Sequence, residues 1–457
     1  MSGFDDDIAE MPEPPIEADA RQSQHGLKHT LADFRAYAPA RLCIYMPCKE
    51  LWPNASVDAR LPSQPRLDET GTPVRNAKGK VVMIPASKWL EQNQSVEQMT
   101  WAPGLPELIE GRLVVDGGWI DQPKATCLNI YRPPRITLGD ANQAGMWVDH
   151  VRKIYPSDAD HIIAWLAQRV QYPEIKINHA LVLSGMQGIG KDTLLQPVKY
   201  TVAAWNFHEV SPKQMLGRFN GFVKSVILRV NEARDLGDVD RFAFYDSTKV
   251  YAASPPDVLR VDEKNLREYW VCNCLGLLIT TNHETDGLYL PADDRRHYLA
   301  WSDWNKEQFP SDYWNKLYGW YATGGNEHVA AYLHTVDLSG FDPKAPPPKT
   351  EAFWANVEAN YAPENAELGA TIEALGEPDV LTIEQLVGKN VELAWMTEQK
   401  HRRIVPHRMK DCGYSAFLNP DAKSGLWRFG DRRLRLYVKA RLRGEARAKA
   451  ARGFKAQ

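Results

Sequence analysis

The residues best placed to do chemistry lie in LVLSGMQGIGKDTLL, residues 181–195, where glycines recur ahead of a lysine. Gly185 and Gly190 hold the G-x-x-x-x-G-K spacing with Lys191, and Gly188 adds freedom to the turn. Such a turn aims backbone N–H groups at phosphate oxygens, the lysine meets the β and γ charges, and the N-terminus of the next helix favours an anion. Gly185, Gln187, Gly188, Ile189, Gly190, Lys191, Asp192 and Thr193 are therefore the candidate contacts to ATP.

Two apolar runs downstream deliver polar groups at their C-terminal ends. The first, Phe222 to Val230, ends in Asn231-Glu232; the second, Leu275 to Ile279, ends in Thr280-Thr281-Asn282. An ATPase holds Mg²⁺ and polarises the attacking water at the end of such a strand, which makes Glu232 the candidate carboxylate. Asn282 can orient that water or touch the γ-phosphate. Asp293-Asp294-Arg295-Arg296 follows, and a guanidinium near the phosphates neutralises charge that develops in the transition state. Singly, Glu232 could cap a helix, Asn282 could form a turn, and the arginines could pair with the aspartates. The ordered set points to ATP hydrolysis.

The order GMQGIGKDT, VILRVNEA, LLITTNHETDGLYLPADDRRHYLAW resembles the superfamily 3 helicase module of phage and plasmid primase-helicases, over roughly residues 145–310. The resemblance implies an AAA+-like α/β core preceded by a small helical bundle. It also implies a ring, usually a hexamer, that uses ATP to move on single-stranded DNA. By the same resemblance Lys191 binds phosphate, Glu232 is catalytic, Asn282 is the sensor, and Arg295 or Arg296 is the finger offered to a neighbouring subunit. Val261 to Asn265 is placed like the family's pore hairpin, with Lys264 as the candidate contact to DNA.

One position departs from the usual pattern. A hydroxyl normally follows the lysine and an acidic pair ends the second strand, whereas this chain has Asp192 and Asn231-Glu232. A hard cation accepts carboxylate and amide oxygens alike, so carboxylate and neutral ligand can have exchanged places around Mg²⁺. On that reading Asp192 holds the metal, with Asn231 and Glu232. On the other, Thr193 supplies the hydroxyl, and Asp192 points outward or caps the helix start. Pro197 lacks a backbone donor and predicts a kinked or shortened helix.

Elements that could position these groups are visible on either side. Trp147 to Tyr155 and Ile162 to Val170 have helical spacing around Pro156-Ser157, and strand-like and helical runs then alternate from 181 to about 300, as in a mostly parallel α/β sheet. Residues 28–125 mix short β-like runs (Leu42 to Tyr45, Val81 to Ile84, Leu113 to Val115) with turns, including a hairpin tip at NAKGK, 76–80. The chain is expected to divide into an acidic leader (1–27), a mixed β-containing N-terminal region (28–125) without a primase signal, a helical subdomain (126–178) and the ATPase core (179–335). A proline-rich linker (336–350), a C-terminal domain (351–440) and a basic tail (441–457) follow.

The C-terminal part pairs a short helix near Leu381 to Leu386 with a basic helix over Met396 to Asp411, interrupted near Pro406, and then a two-stranded ribbon. That is the order of a winged-helix α+β domain, with Arg402, Arg403, Arg408, Lys410 and Lys423 as candidate DNA contacts, mainly at phosphates. Residues 400–457 carry 17 Lys and Arg against 4 Asp and Glu, while the rest carries 38 against 54, so a net charge of −3 conceals a basic end. Such segregation suits a polyanion, the plainer alternative being a solvated helical tail.

The six cysteines are scattered and read as reduced, mostly buried thiols, and no apolar run is long enough to span a membrane. The acidic, proline-bearing start lacks a secretory signal, so a cytoplasmic protein is expected. The tryptophans in YWNKLYGWYATGG, 313–325, read as a packed helix. The leading function is an oligomeric, Mg²⁺-ATP-driven replicative helicase. Its rivals are an origin-binding initiator that hydrolyses little ATP and a loader or packaging motor on double-stranded DNA.

Overall fold

The structure is a computed structural model that describes residues 29–231, 238–264, 266–283, 288–359, 363–398, 405–422, 424–430 and 432–454. It is a mixed α/β chain with several sheets, arranged as two compact units.

The first unit takes the chain up to Tyr131 together with Asp257–Cys272. Its four-stranded sheet, in the order Glu50–Pro53, Leu42–Tyr45, Phe34–Tyr37, Ser95–Val96, closes over Phe34, Cys43, Val57 and Leu90. At the NAKGK turn, the Asn76 side chain accepts from the backbone N–H groups of Lys78 and Lys80, which fixes the tip. The antiparallel hairpin Val258–Val261/Tyr269–Cys272, which carries Lys264 in its turn, belongs to this unit rather than to the core in which the sequence sets it. The reason is local pairing. Thr100 Oγ1 donates to the Trp270 carbonyl (2.9 Å), and the Cys272 N–H donates to that of Trp101 (3.3 Å).

In the second unit, helices α1 (Gly145–Ile154) and α2 (Ala159–Gln171) precede strand β1 (Ala180–Gly185) and helix α3 (Lys191–Val202). Then come β2 (Phe207–Val210), β3 (Ile227–Asn231), α4 (Asp238–Ala252), β4 (Gly276–Thr281), β5 (His297–Ser302), α5 (Tyr313–Trp320) and α6 (Asn326–Thr335). The sheet order is β2-β3-β4-β1-β5 and every pairing is parallel. Strands β1 and β4 are buried at every residue, as expected of a parallel sheet covered on both faces. The helical pair is tied to this sheet by its aromatic side chains: Trp147 Nε1 donates to Leu194 O (2.9 Å) and the Tyr155 hydroxyl to Ser184 O (3.1 Å).

Helix α3 runs through Pro197 without stopping, against the expectation of a kink or early end. The carbonyl that Pro197 cannot serve, that of Thr193, accepts instead from the Tyr321 hydroxyl (3.0 Å). An outside donor has replaced the missing one.

The C-terminal part packs Leu368, Leu381, Leu386, Leu393, Met409 and Tyr414 into one cluster. Helix Ile383–Lys389 starts at a Thr382/Gln385 capping box. Pro406 lies within the described helix Val405–Asp411, and residues 399–404, which carry the rest of the expected basic helix before it, lie outside the described residues. A hairpin, Trp427–Phe429 with Arg432–Leu434, and a small sheet of Val380–Leu381, Leu436–Lys439 and Tyr414–Phe417 complete it.

Candidate functional site

At the C-terminal edge of the parallel sheet the chain leaves β1 and turns through the glycines into α3. Gly190 has φ +90°, and a Cβ there would come within 2.7 Å of both His150 and Trp314, so conformation and space each demand glycine. The turn borders a cavity of about 330 Å³ whose wall includes Gln187, Lys191, Asp192, Arg229, Asn282 and Trp314.

Lys191 is 8% exposed. Its ammonium donates to the carbonyls of Gly185 (2.6 Å) and Met186 (3.0 Å) and to Asn282 Oδ1 (2.9 Å). Topology makes the last contact: β4 lies beside β1 with Ser184 opposite Thr281, so the residue after β4 reaches the loop. A bound phosphate would take over the hydrogens now given to the loop's own carbonyls.

Behind the loop stands His150, with its Nε2 3.1 Å from Gly190 O and its Nδ1 2.8 Å from the Tyr313 hydroxyl. Burial, with a smaller push from Lys153, holds its pKa at about 4 despite the Gly190 contact. The ring is therefore neutral at pH 7. Its Nε2–H donates to Gly190 O, which can only accept, and its Nδ1 accepts from Tyr313.

The opposite wall is built differently. Arg229 sits in the middle of β3 between fully buried Leu228 and Val230, with its side chain 7% exposed. Its Nη2 donates to Asp192 Oδ1, with which it forms an ion pair, to Asn231 Oδ1 (3.1 Å) and to Thr280 Oγ1 (3.2 Å). Nε also reaches Thr280 Oγ1 (3.2 Å), and Nη1 lies 3.5 Å from Glu209. Thr280 Oγ1 in turn donates to Asn231 Oδ1 (3.0 Å).

Asp192 thus neither points away from the pocket nor stands ready for a metal; it reaches across to Arg229. Thr193 is buried, with its hydroxyl on that of Tyr318 (2.8 Å). Mg²⁺ held by Asp192, Thr193 and Asn231 fits this arrangement poorly, because Asp192 Oδ1, Thr193 Oγ1 and Asn231 Oδ1 each already face a protein donor or hydroxyl and the Arg229 guanidinium bridges Asp192 and Asn231. Glu232, the fourth residue of the expected set, lies outside the described residues.

Arg295 and Arg296 are not brought to this pocket. They precede β5, whose first residue pairs with Ala180, so they lie at the opposite edge of the sheet from Lys191. The six paired residues of β1 and β5 put about 20 Å between those edges. Asp294 fixes the segment, accepting from the N–H groups of Arg296 and His297 (both 3.0 Å) and from the Tyr245 hydroxyl (2.9 Å). Burial raises the Asp294 carboxyl, but its His297, Arg296 and Tyr245 contacts outweigh that and hold it at about 2. Arg295 is left exposed.

Among the candidate DNA contacts, Lys264 is exposed in the hairpin turn of the first unit. Lys410 is exposed and Arg408 half-buried on a helix whose Met409 enters the core. Arg402, Arg403 and Lys423 lie outside the described residues. Sequence reasoning missed Arg229, although one charge inside VILRVN was a readable signal. It also took Trp314 and Tyr318 for core, whereas both border the cavity. Among the described residues no His, Cys, Asp and Glu cluster is suited to a metal, and no helix is long and apolar enough to cross a membrane. No disulfide joins any of the six cysteines, all of which lie among the described residues.

Residues 183–296 match the model of a family described as of unknown function (DUF5906). No curated protein matches the sequence. The chain is similar in fold to a solved structure described as the apo structure of the NrS-1 C-terminal region, residues 305–718 of that protein. The TM-score is 0.56 at 14% identity, over 87% of this chain and 93% of that one. A second form of the same region is similar at TM-score 0.50 and 14% identity, over 79% of this chain and 92% of that one.

Proposed function

We propose that this chain is an ATP-driven replicative DNA helicase of phage or plasmid type. In this reading the second unit carries an AAA+-like P-loop NTPase core, a ring of such chains, usually six, moves on single-stranded DNA, and a winged-helix-like C-terminal domain touches DNA. The observation that carries the reading is the contact of Lys191 with Asn282 across a glycine-cradled cavity at the C-terminal edge of a parallel sheet. It joins the two groups that a γ-phosphate needs, a fixed cation and an amide beside it. The place of Arg295 and Arg296 at the far edge suits a finger that acts on a neighbour's nucleotide, which requires an oligomer. A role in phage DNA replication is the broader reading, supported by the resemblance of residues 145–310 and by the fold shared with the NrS-1 region.

Steady-state ATP hydrolysis with and without single-stranded DNA, wild type beside Lys191→Ala, tests the proposal. The motor requires DNA-stimulated turnover that falls by about 100-fold or more in the variant. ATP binding without turnover would favour the second reading, an initiator that uses ATP to assemble. The Asp192–Arg229 pair speaks for that reading, since it engages oxygens that an efficient hydrolase gives to a metal. Stimulation by duplex DNA alone would indicate a loader or packaging motor.

A further inference from the structure

We propose that the Arg229 guanidinium is a built-in cation that stands in for the divalent metal at this pocket, so that the triphosphate of a nucleotide binds without one. The inference rests on the reading of the cavity as a nucleotide site and goes beyond it in naming what replaces the metal.

The argument begins with position. A metal in such a pocket is held between the residue after the lysine and the residue that ends the neighbouring strand. Here those residues are Asp192 and Asn231, and a single nitrogen, Arg229 Nη2, donates to both and to Thr280 from the next strand. Three side-chain oxygens from α3, β3 and β4 therefore converge on one cationic atom. This is a coordination shell with a guanidinium at its centre.

Burial makes the arrangement hard to dismiss as an accident of a long side chain. The rest of β3 up to Val230 is apolar and inaccessible, and a charge inside such a strand costs stability unless it is paired and hydrogen-bonded. The partners that meet this cost come from the residue types by which the chain departs from the usual loop. Asp192 in place of a hydroxyl supplies the near counter-charge, with Glu209 farther off, and Asn231 in place of a carboxylate supplies a neutral oxygen. Arg229, Asp192 and Asn231 are consistent only when taken together.

The guanidinium also keeps capacity for a ligand. Among the described residues Nη1 meets only the Glu209 carboxylate, at 3.5 Å, the outer limit for a hydrogen bond, and Arg229 borders the cavity. Its planar fork matches two phosphate oxygens at once. With Lys191 on the opposite wall, the pocket presents two fixed cations to a triphosphate and one described carboxylate, already paired. A divalent ion seated beside Asp192 and Asn231 would instead face the guanidinium as a like charge at close range.

The test is ATP binding to the full-length chain by calorimetry, in excess EDTA and then in Mg²⁺. The proposal expects wild-type dissociation constants within about threefold of each other, and Arg229→Met to weaken binding in EDTA by about tenfold or more. In that variant Mg²⁺ should restore part of the loss, since Asp192 and Asn231 are released to a metal. Asp192→Ser, which keeps the guanidinium, should bind ATP in EDTA at least as tightly as wild type. Wild-type binding that requires Mg²⁺ would overturn the proposal and leave the nucleotide site standing, as would undiminished EDTA binding by Arg229→Met. No ATP binding in either medium would remove the nucleotide reading itself.

Discussion

The two walls of the pocket make opposite use of charge. On one, Lys191 donates to two loop carbonyls and the Asn282 amide oxygen, neutral groups that leave it facing the cavity. On the other, Arg229 is matched by a carboxylate and by further oxygens, which fix its guanidinium at the edge of the cavity before any ligand arrives. The first is a wall for capture and the second a wall that stabilises itself. On the proposed nucleotide reading, one pocket sets a phosphate grip beside a remodelled metal position, because the two draw on different strands, β1 with β4 and β3 with β4.

The largest effect that would sharpen this contrast lies on the lysine wall. Asn282→Ala removes the Oδ1 acceptor of Lys191 and the Nδ2–H donor available to a γ-phosphate, and turnover should fall by about 10- to 100-fold while ATP still binds. Single-turnover hydrolysis beside equilibrium binding separates the two, and an equal loss of both would show that Asn282 serves only to shape the site.

On the arginine wall the expected effect is on stability and is unequal between partners. Asp192→Ala leaves a buried guanidinium with only the more distant Glu209 carboxylate and should cost about 3 kcal/mol. Arg229→Met leaves Asp192, 78% exposed, to return to water, and should stay within about 1 kcal/mol of wild type. Urea unfolding of both variants decides it; equal losses would mean that the pair, rather than the buried charge, matters.

The smallest effect comes from pH and should reach the lysine wall first. His150, behind Gly190, has a folded pKa of about 4 against an ordinary 6.5, so between those values the unfolded chain binds more protons than the folded one. Stability therefore falls as pH drops from 6.5 toward 4, by up to about 2 kcal/mol from this residue at pH 5. His161 and His179, lowered by burial to about 4 and about 3, act in the same direction. His150→Gln should flatten the dependence by its own share. An unchanged acid profile would assign the loss to the other two.

Much of the sheet was legible because its strands are short apolar runs broken by turn residues; Asn282 ends one such run, and Lys191 follows the glycine turn after another. Their contact follows from strand order, which a periodic pattern does not encode. Arg229 escaped notice because an apolar run reads as core whichever way one of its members faces. The partnership with Asp192 joins residues 37 positions apart on neighbouring elements. Trp314 and Tyr318 were misread for a related reason: aromatic spacing marks a helix but not whether its outer face meets a protein or a cavity. Pro197 shows the same limit in the backbone, since the hydroxyl that rescues its helix comes from Tyr321, far along the chain.

The hairpin from Val258 to Cys272 carries a consequence for the order of synthesis. The first unit is discontinuous in sequence, and its last strands leave the ribosome only after β1, β2 and β3 of the second unit have been made. Domains generally close in the order in which they are translated. Here the earlier unit must wait, with Thr100 and Trp101 lacking their hairpin partners, until residue 272 has emerged. The same interleaving means that no single recombination breakpoint, and no single proteolytic cut, can detach or exchange the whole of the first unit.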